Sequence, residues 1–118
     1  MHVAYIAVAG VLTVMLSMSA RMKLIRDQRA VDVIGGVVGV PLRVFPVLAL
    51  LELAGAVGLL AGIWLKALGV AAGAGLAAYF IAALTSHLRV RDLDPEHVLP
   101  AVLLLAVSVA ALALRLAA

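Results

Sequence analysis

Few side chains in this 118-residue chain can do chemistry: six acids, nine Lys or Arg, three histidines and no cysteine. The most informative is Glu52, the only acid in the apolar run 42–65. Ten residues in from Leu42, at 1.5 Å per residue, it would lie about 15 Å below one surface of a bilayer. A charge at that depth costs about 2.5–3.5 kcal/mol on insertion scales, and such residues usually face a bundle interior and mark a function. Hydrocarbon does not tolerate a bare carboxylate, so Glu52 needs a proton or a partner. The cations that could reach inward are Arg21 and Lys23, at the end of the first apolar run. Counting from the turn at Lys66 puts Tyr79 about level with Glu52, and Thr13, Ser17 and Ser108 fall at compatible depths. Three readings follow. Glu52 and Tyr79 are polar contacts for a lipophilic ligand, with Ser17, Arg21, Lys23 and His87 around them; or Glu52 is a general acid or base acting with Tyr79 in a small intramembrane isomerase, cyclase or hydrolase; or the carboxyl only ties helices together through Tyr79.

His87 follows Thr85 and Ser86, offset from Glu52 by about eight residues, roughly 12 Å along the axis. Contact between them would need a water, a ligand or a kink, and otherwise His87 snorkels to water. His2 belongs to the opposite face, and His97 follows Asp92, Asp94 and Glu96. No two histidines are expected at one depth, so haem ligation is not expected. The acidic segment reads as a capping turn before a helix and not as a metal site.

The elements that must hold these residues are set by composition. The chain is 67% hydrophobic and 13% charged, with mean hydropathy +1.27; soluble domains carry about 25% charged residues. This is an all-α integral membrane protein. Four apolar runs, 3–20, 42–65, 67–86 and 98–114, make a single four-span domain, because lipid accepts only helices or closed barrels and these runs lack strand alternation. A single helix over 42–86 would measure about 67 Å against a hydrocarbon core of about 30 Å, so a tight antiparallel hairpin at Lys66 is required. The first run reads as an anchor and not a cleaved leader, since basic residues follow it and none precedes it. With no cysteine, the chain's own residues exclude thiol exchange, iron-sulfur ligation and thiolate zinc.

Seven Lys or Arg (21, 23, 26, 29, 43, 89 and 91) fall in connections on one face, and only Lys66 and Arg115 fall on the other. The bias predicts a multi-pass plasma-membrane protein with both termini outside. It argues against dual topology, and no inverted repeat supports transport. The basic residues, and the apparent pI near 10.0 they produce, suit anionic headgroups and not nucleic acid. Between the first two spans, Leu24, Ile25, Val31, Ile34 and Val38 recur at helical spacing opposite Arg26, Asp27, Arg29 and Asp32. A short interfacial amphipathic helix is expected there, ended by Gly35, Gly36, Gly39 and Pro41; it is either a connector or a lid. Small-residue stripes at Ala54, Gly58 and Gly62, and at Gly69, Gly73 and Ala77, predict close packing in a left-handed four-helix bundle or a homo-oligomer seam.

Together these features resemble the DoxX-like family of small bacterial membrane proteins. The resemblance lies in Ser19-Ala20-Arg21-Met22-Lys23-Leu24 ending the first span, Gly39-Val40-Pro41 with Phe45-Pro46 opening the second, Glu52-Leu53-Ala54-Gly55 within it, and a small-residue third helix running to His87. It covers nearly the whole chain. It implies a four-helix membrane protein, some relatives of which are subunits of membrane oxidoreductases, including thiosulfate:quinone oxidoreductase, or partners in redox-stress complexes. By that resemblance the expected ligand is a quinone or similar lipophile and the expected partner an oxidoreductase subunit. Arg21 or Lys23 would be the basic residue after the first helix, Glu52 the buried acid, and His87 the polar end of the third helix. The lack of cysteine departs from relatives that handle thiols.

Overall fold

The computed structural model describes residues 2–117, and among them there is no strand. Four helices are long and apolar enough to cross a membrane. Helix α1 covers His2–Leu24, α3 Phe45–Ala61, α4 Lys66–Arg89 and α5 Pro95–Ala117. The long helices overrun the apolar runs because hydropathy stops at the first charge while helix geometry does not. Arg21 and Lys23 lie in the last turn of α1, and Arg89 closes α4. Helix α3 is the exception, falling short of the run 42–65 at both ends. Residues Leu42–Val44 form a 3-10 turn, and Pro46 lies in the first turn of α3, where its missing N–H is not needed. At the other end the chain turns through residues 62–65, and Leu65 is extended (φ −117°, ψ 105°) before α4 starts.

The connection between α1 and α3 is helical but starts later than its apolar spacing suggests. Leu24 completes α1, and Arg26, at φ 53°, turns the chain in the left-handed region. Asp27 then caps α2 (Gln28–Ala30) by accepting the Arg29 N–H at 3.0 Å. The helix widens into π geometry over Val31–Val37 and ends before Gly39, whose φ of 89° suits glycine.

Around the ring the order is α1, α3, α4, α5, each packing on its two neighbours. Buried positions recur at steps of three or four: Tyr5, Ala9, Leu12, Leu16, Ala20 and Lys23 on α1; and, in strict alternation, Phe45, Ala49, Glu52, Ala56 and Leu59 on α3 and Ala101, Leu104, Ser108, Ala111 and Arg115 on α5. That 3.5-residue period is the one left-handed knobs-into-holes packing uses. The outward faces are apolar too, with Val14, Leu50 and Val57 exposed, as lipid requires and water does not tolerate.

Helices α3 and α4 run in one constant register. A Cβ added at Gly62 would meet Gly69, one at Gly58 would meet Ala72, and one at Gly55 would meet Leu76. Gly73 packs on Leu112 of α5. Ala54 departs from its stripe: it is exposed, and the off-stripe Gly55 makes the contact with Leu76. A stripe of period four drifts round a helix, so it cannot hold one face through its whole length.

Candidate functional site

The same register brings Tyr79 of α4 opposite Glu52 of α3. Glu52 occupies a core position and is fully buried. The Tyr79 hydroxyl donates to Glu52 Oε1 at 2.9 Å and lies 3.5 Å from the Leu48 carbonyl. Its ring is held edge-on to Phe80, centroids 4.9 Å apart. Lys23, buried on α1, forms an ion pair with the same Oε1 and also donates to Ser19 Oγ at 2.8 Å. Three helices thus meet at one carboxylate oxygen. Among the described residues, only Glu52 Oε2 and Thr13 Oγ1 are buried side-chain polar atoms without a hydrogen-bond partner.

The phase of α1 decides which cation enters. Lys23 continues the buried series from Tyr5 to Ala20, whereas Arg21 lies two residues away in phase and is exposed. Ser17 is also exposed, so neither Ser17 nor Arg21 belongs to the Glu52 cluster. Ser108 is buried but donates to the Leu104 carbonyl at 2.7 Å, which satisfies it within its own helix.

Alongside the cluster, the lipid-facing side of the α3–α4 seam leaves an open groove of about 600 Å³. Its walls include Leu51, Gly55, Gly58, Ala72 and Gly75, and among the described residues Tyr79 is the only polar side chain lining it. The groove exists because residues facing it lack bulk: nothing lies within 4 Å of a Cβ placed on Gly75. A second, open cleft of about 460 Å³ is formed by Asp32, Gly35, Gly39 and Pro41 beside the π-helix, and none of its lining residues belongs to the Glu52 cluster.

His87 lies apart from Glu52. Its Nδ1 donates to Asp92 Oδ2 at 2.8 Å, and His97 Nδ1 donates to the same oxygen at 2.9 Å. The expectation that no two histidines share a depth is therefore corrected: the chain reverses at Arg91, in the left-handed region at φ 56°, and brings both rings to one carboxylate. Desolvation would raise the Asp92 carboxyl, but hydrogen bonds from His87 and His97 outweigh it and hold the group below its ordinary value of 3.8. Beyond the turn, the Asp94 carbonyl accepts the N–H of His97 and Val98, the first backbone bonds of α5. The Glu96 side chain lies outside the described residues.

At the opposite end, the sequence reading missed a second buried cation. Arg115 Nε donates to the Gly62 carbonyl at 2.7 Å, its guanidinium sits 5.6 Å from the centre of the Tyr5 ring, and the Tyr5 hydroxyl donates to the Leu59 carbonyl at 2.8 Å. Together they satisfy carbonyls at the C-terminal end of α3 that lipid could not. The available signal was phase, because Arg115 continues the series Ala101, Leu104, Ser108 and Ala111.

No curated protein matches the chain, and no solved structure matches it. The profile of the DoxX-like family matches residues 7–111, a stretch that takes in α3 and α4 whole and most of α1 and α5, together with Lys23, Glu52, Tyr79 and His87. With the match running through most of the sequence and four membrane-spanning helices to go with it, the chain is a member of the DoxX-like family.

Proposed function

We propose that the bundle binds a lipophilic small molecule of the quinone type, admitted sideways from the bilayer into the α3–α4 groove, and that it serves as an accessory subunit of a membrane oxidoreductase. The observation that carries the reading is an apolar groove with one polar side chain, Tyr79, whose hydroxyl is backed by a fully buried carboxylate and a lysine. Its size falls within the range of small-molecule sites, and a mostly apolar wall with a single orienting group is what a ring on a greasy tail requires. The charge bias supports an orientation with both termini outside, in which the Lys23 end of the cluster would face the cytoplasm of a bacterial cell.

Binding is favoured over turnover with Glu52 as the acid or base. Glu52 is wholly buried, and its Oε1 already accepts from Lys23 and Tyr79, so the side chain facing a groove ligand is Tyr79.

Gly75→Leu tests the proposal. The added side chain enters the groove without meeting any neighbour at its Cβ, so the bundle should persist while the site is filled. Equilibrium dialysis of a decyl-substituted benzoquinone against nanodisc-embedded protein should show saturable binding to the wild type and at least tenfold weaker binding to the variant. Equal binding to both would remove the groove from the function.

A further inference from the structure

The hydrogen-bond polarity of Tyr79 sets which form of such a ligand the groove accepts. A tyrosine hydroxyl has one hydrogen to give and lone pairs to receive with. Both protein groups within reach of the Tyr79 hydroxyl are acceptors: Glu52 Oε1 at 2.9 Å and the Leu48 carbonyl at 3.5 Å. Whichever of them the hydrogen favours, it points into the bundle. Glu52 cannot reverse the bond readily. Its Oε1 also takes the bond from Lys23, an ammonium that can only donate. A phenol is a far weaker acid than a carboxylic acid, so the proton between Tyr79 and Glu52 belongs to Tyr79. What remains of the hydroxyl for any molecule in the groove is an acceptor.

We infer that the groove selects a ligand presenting a hydrogen-bond donor, a hydroquinone or other phenol, over the corresponding quinone, which presents only carbonyl acceptors. The inference rests on the groove being the binding site. A quinone carbonyl placed against Tyr79 would set acceptor against acceptor, or would pull the tyrosine hydrogen outward and leave Glu52 with Lys23 alone. In a low-dielectric site an unmade hydrogen bond is more costly than in water, and a difference of about tenfold or more is the size expected when a buried acceptor loses its partner. No electron transfer is involved: the selection acts on binding alone, and the bound molecule leaves as it entered.

The experiment compares three probes with the same alkyl tail in nanodiscs: a decyl-substituted hydroquinone kept reduced under anaerobic conditions, the matching quinone, and the hydroquinone dimethyl ether, which retains the ring but has no donor. Dissociation constants by equilibrium dialysis should rank the hydroquinone at least about tenfold tighter than either of the others. Tyr79→Phe, which keeps the ring and removes the acceptor, should bring the three within about twofold of one another, with the ether no weaker than in the wild type. Equal affinity of the hydroquinone and the quinone for the wild type overturns the inference while leaving the groove as a site. So does preference for the quinone. Saturable binding of none of the three overturns the groove itself. A hydroquinone preference that survives Tyr79→Phe assigns the selection to another group and also overturns the inference. If the Phe variant does not fold, the wild-type ranking alone still decides.

Discussion

Removing the cation from Lys23 is the sharpest probe of the buried cluster. In Lys23→Met the side-chain length is nearly kept, while Glu52, fully buried, loses the one group that balances its charge. Breaking one side of a buried ion pair costs about 3–5 kcal/mol, because the other charge is left uncompensated. An ordinary interhelical hydrogen bond in a membrane protein is worth only about 0.6 kcal/mol on average. The two cases therefore separate clearly. Glu52→Gln alone leaves Lys23 unpaired, but close to the end of α1 and still donating to Ser19, so its cost should be smaller, about 1–3 kcal/mol. In the double variant neither charge remains, and its loss should fall short of the sum of the single losses by about 2 kcal/mol or more. Unfolding by titration with a denaturing detergent in mixed micelles gives all four free energies. A coupling energy below about 0.6 kcal/mol would reduce the contact to a neutral hydrogen bond and leave Lys23 without a part in holding Tyr79 as a donor to Glu52.

Two more outcomes follow from packing and from the turn between α4 and α5. In Gly62→Ala the new Cβ would lie 2.3 Å from the Gly69 Cα and 2.6 Å from the Tyr5 hydroxyl. Backbone cannot rotate aside, so α3 and α4 must separate, at a cost of about 1–3 kcal/mol. Gly10→Ala, with nothing within 4 Å, should be neutral or stabilising by up to about 1 kcal/mol; equal thermal midpoints for the two variants would refute the close approach. Asp92 binds its proton less readily in the folded protein than in the unfolded chain, so its contribution is complete above the ordinary value of 3.8 and is lost as pH falls through the lower folded value. Amide hydrogen exchange at His97 and Val98 should therefore accelerate below about pH 4, and Asp92→Asn should abolish that acid step. A step unchanged in Asp92→Asn would assign it to another group.

The sequence and the structure agree where a rule acts locally and part where two distant segments must be set against each other. Four spans were legible because each is a run longer than any soluble helix core would need. The level of Tyr79 with Glu52 was legible because a hairpin as tight as that at Lys66 leaves one register. The choice between Lys23 and Arg21 was open by charge and depth but is decided by helical phase, since only Lys23 follows Tyr5, Ala9, Leu12, Leu16 and Ala20. Ser17 fails by the same rule: its depth suits Glu52, but its face does not. Convergence of His87 and His97 on Asp92 depends on one left-handed residue, Arg91, which composition does not announce. The groove was hidden for a different reason. It is made of side chains that are small or missing, and small residues read equally well as close contact and as open space; Gly62 became the first and Gly75 the second.

The convergence of Lys23 and Glu52 also constrains the order of assembly. The span bearing Glu52 carries an acid whose ion-pair partner among the described residues is Lys23 of α1, earlier in the chain. The lysine that answers it has already been made and waits at the end of the preceding span. Docking of α1 on α3 therefore balances the charge of Glu52 without any contribution from α4 or α5. The face that α1 and α3 present to α4 is thus already charge-balanced, and Tyr79 contributes a hydrogen bond to it and no charge.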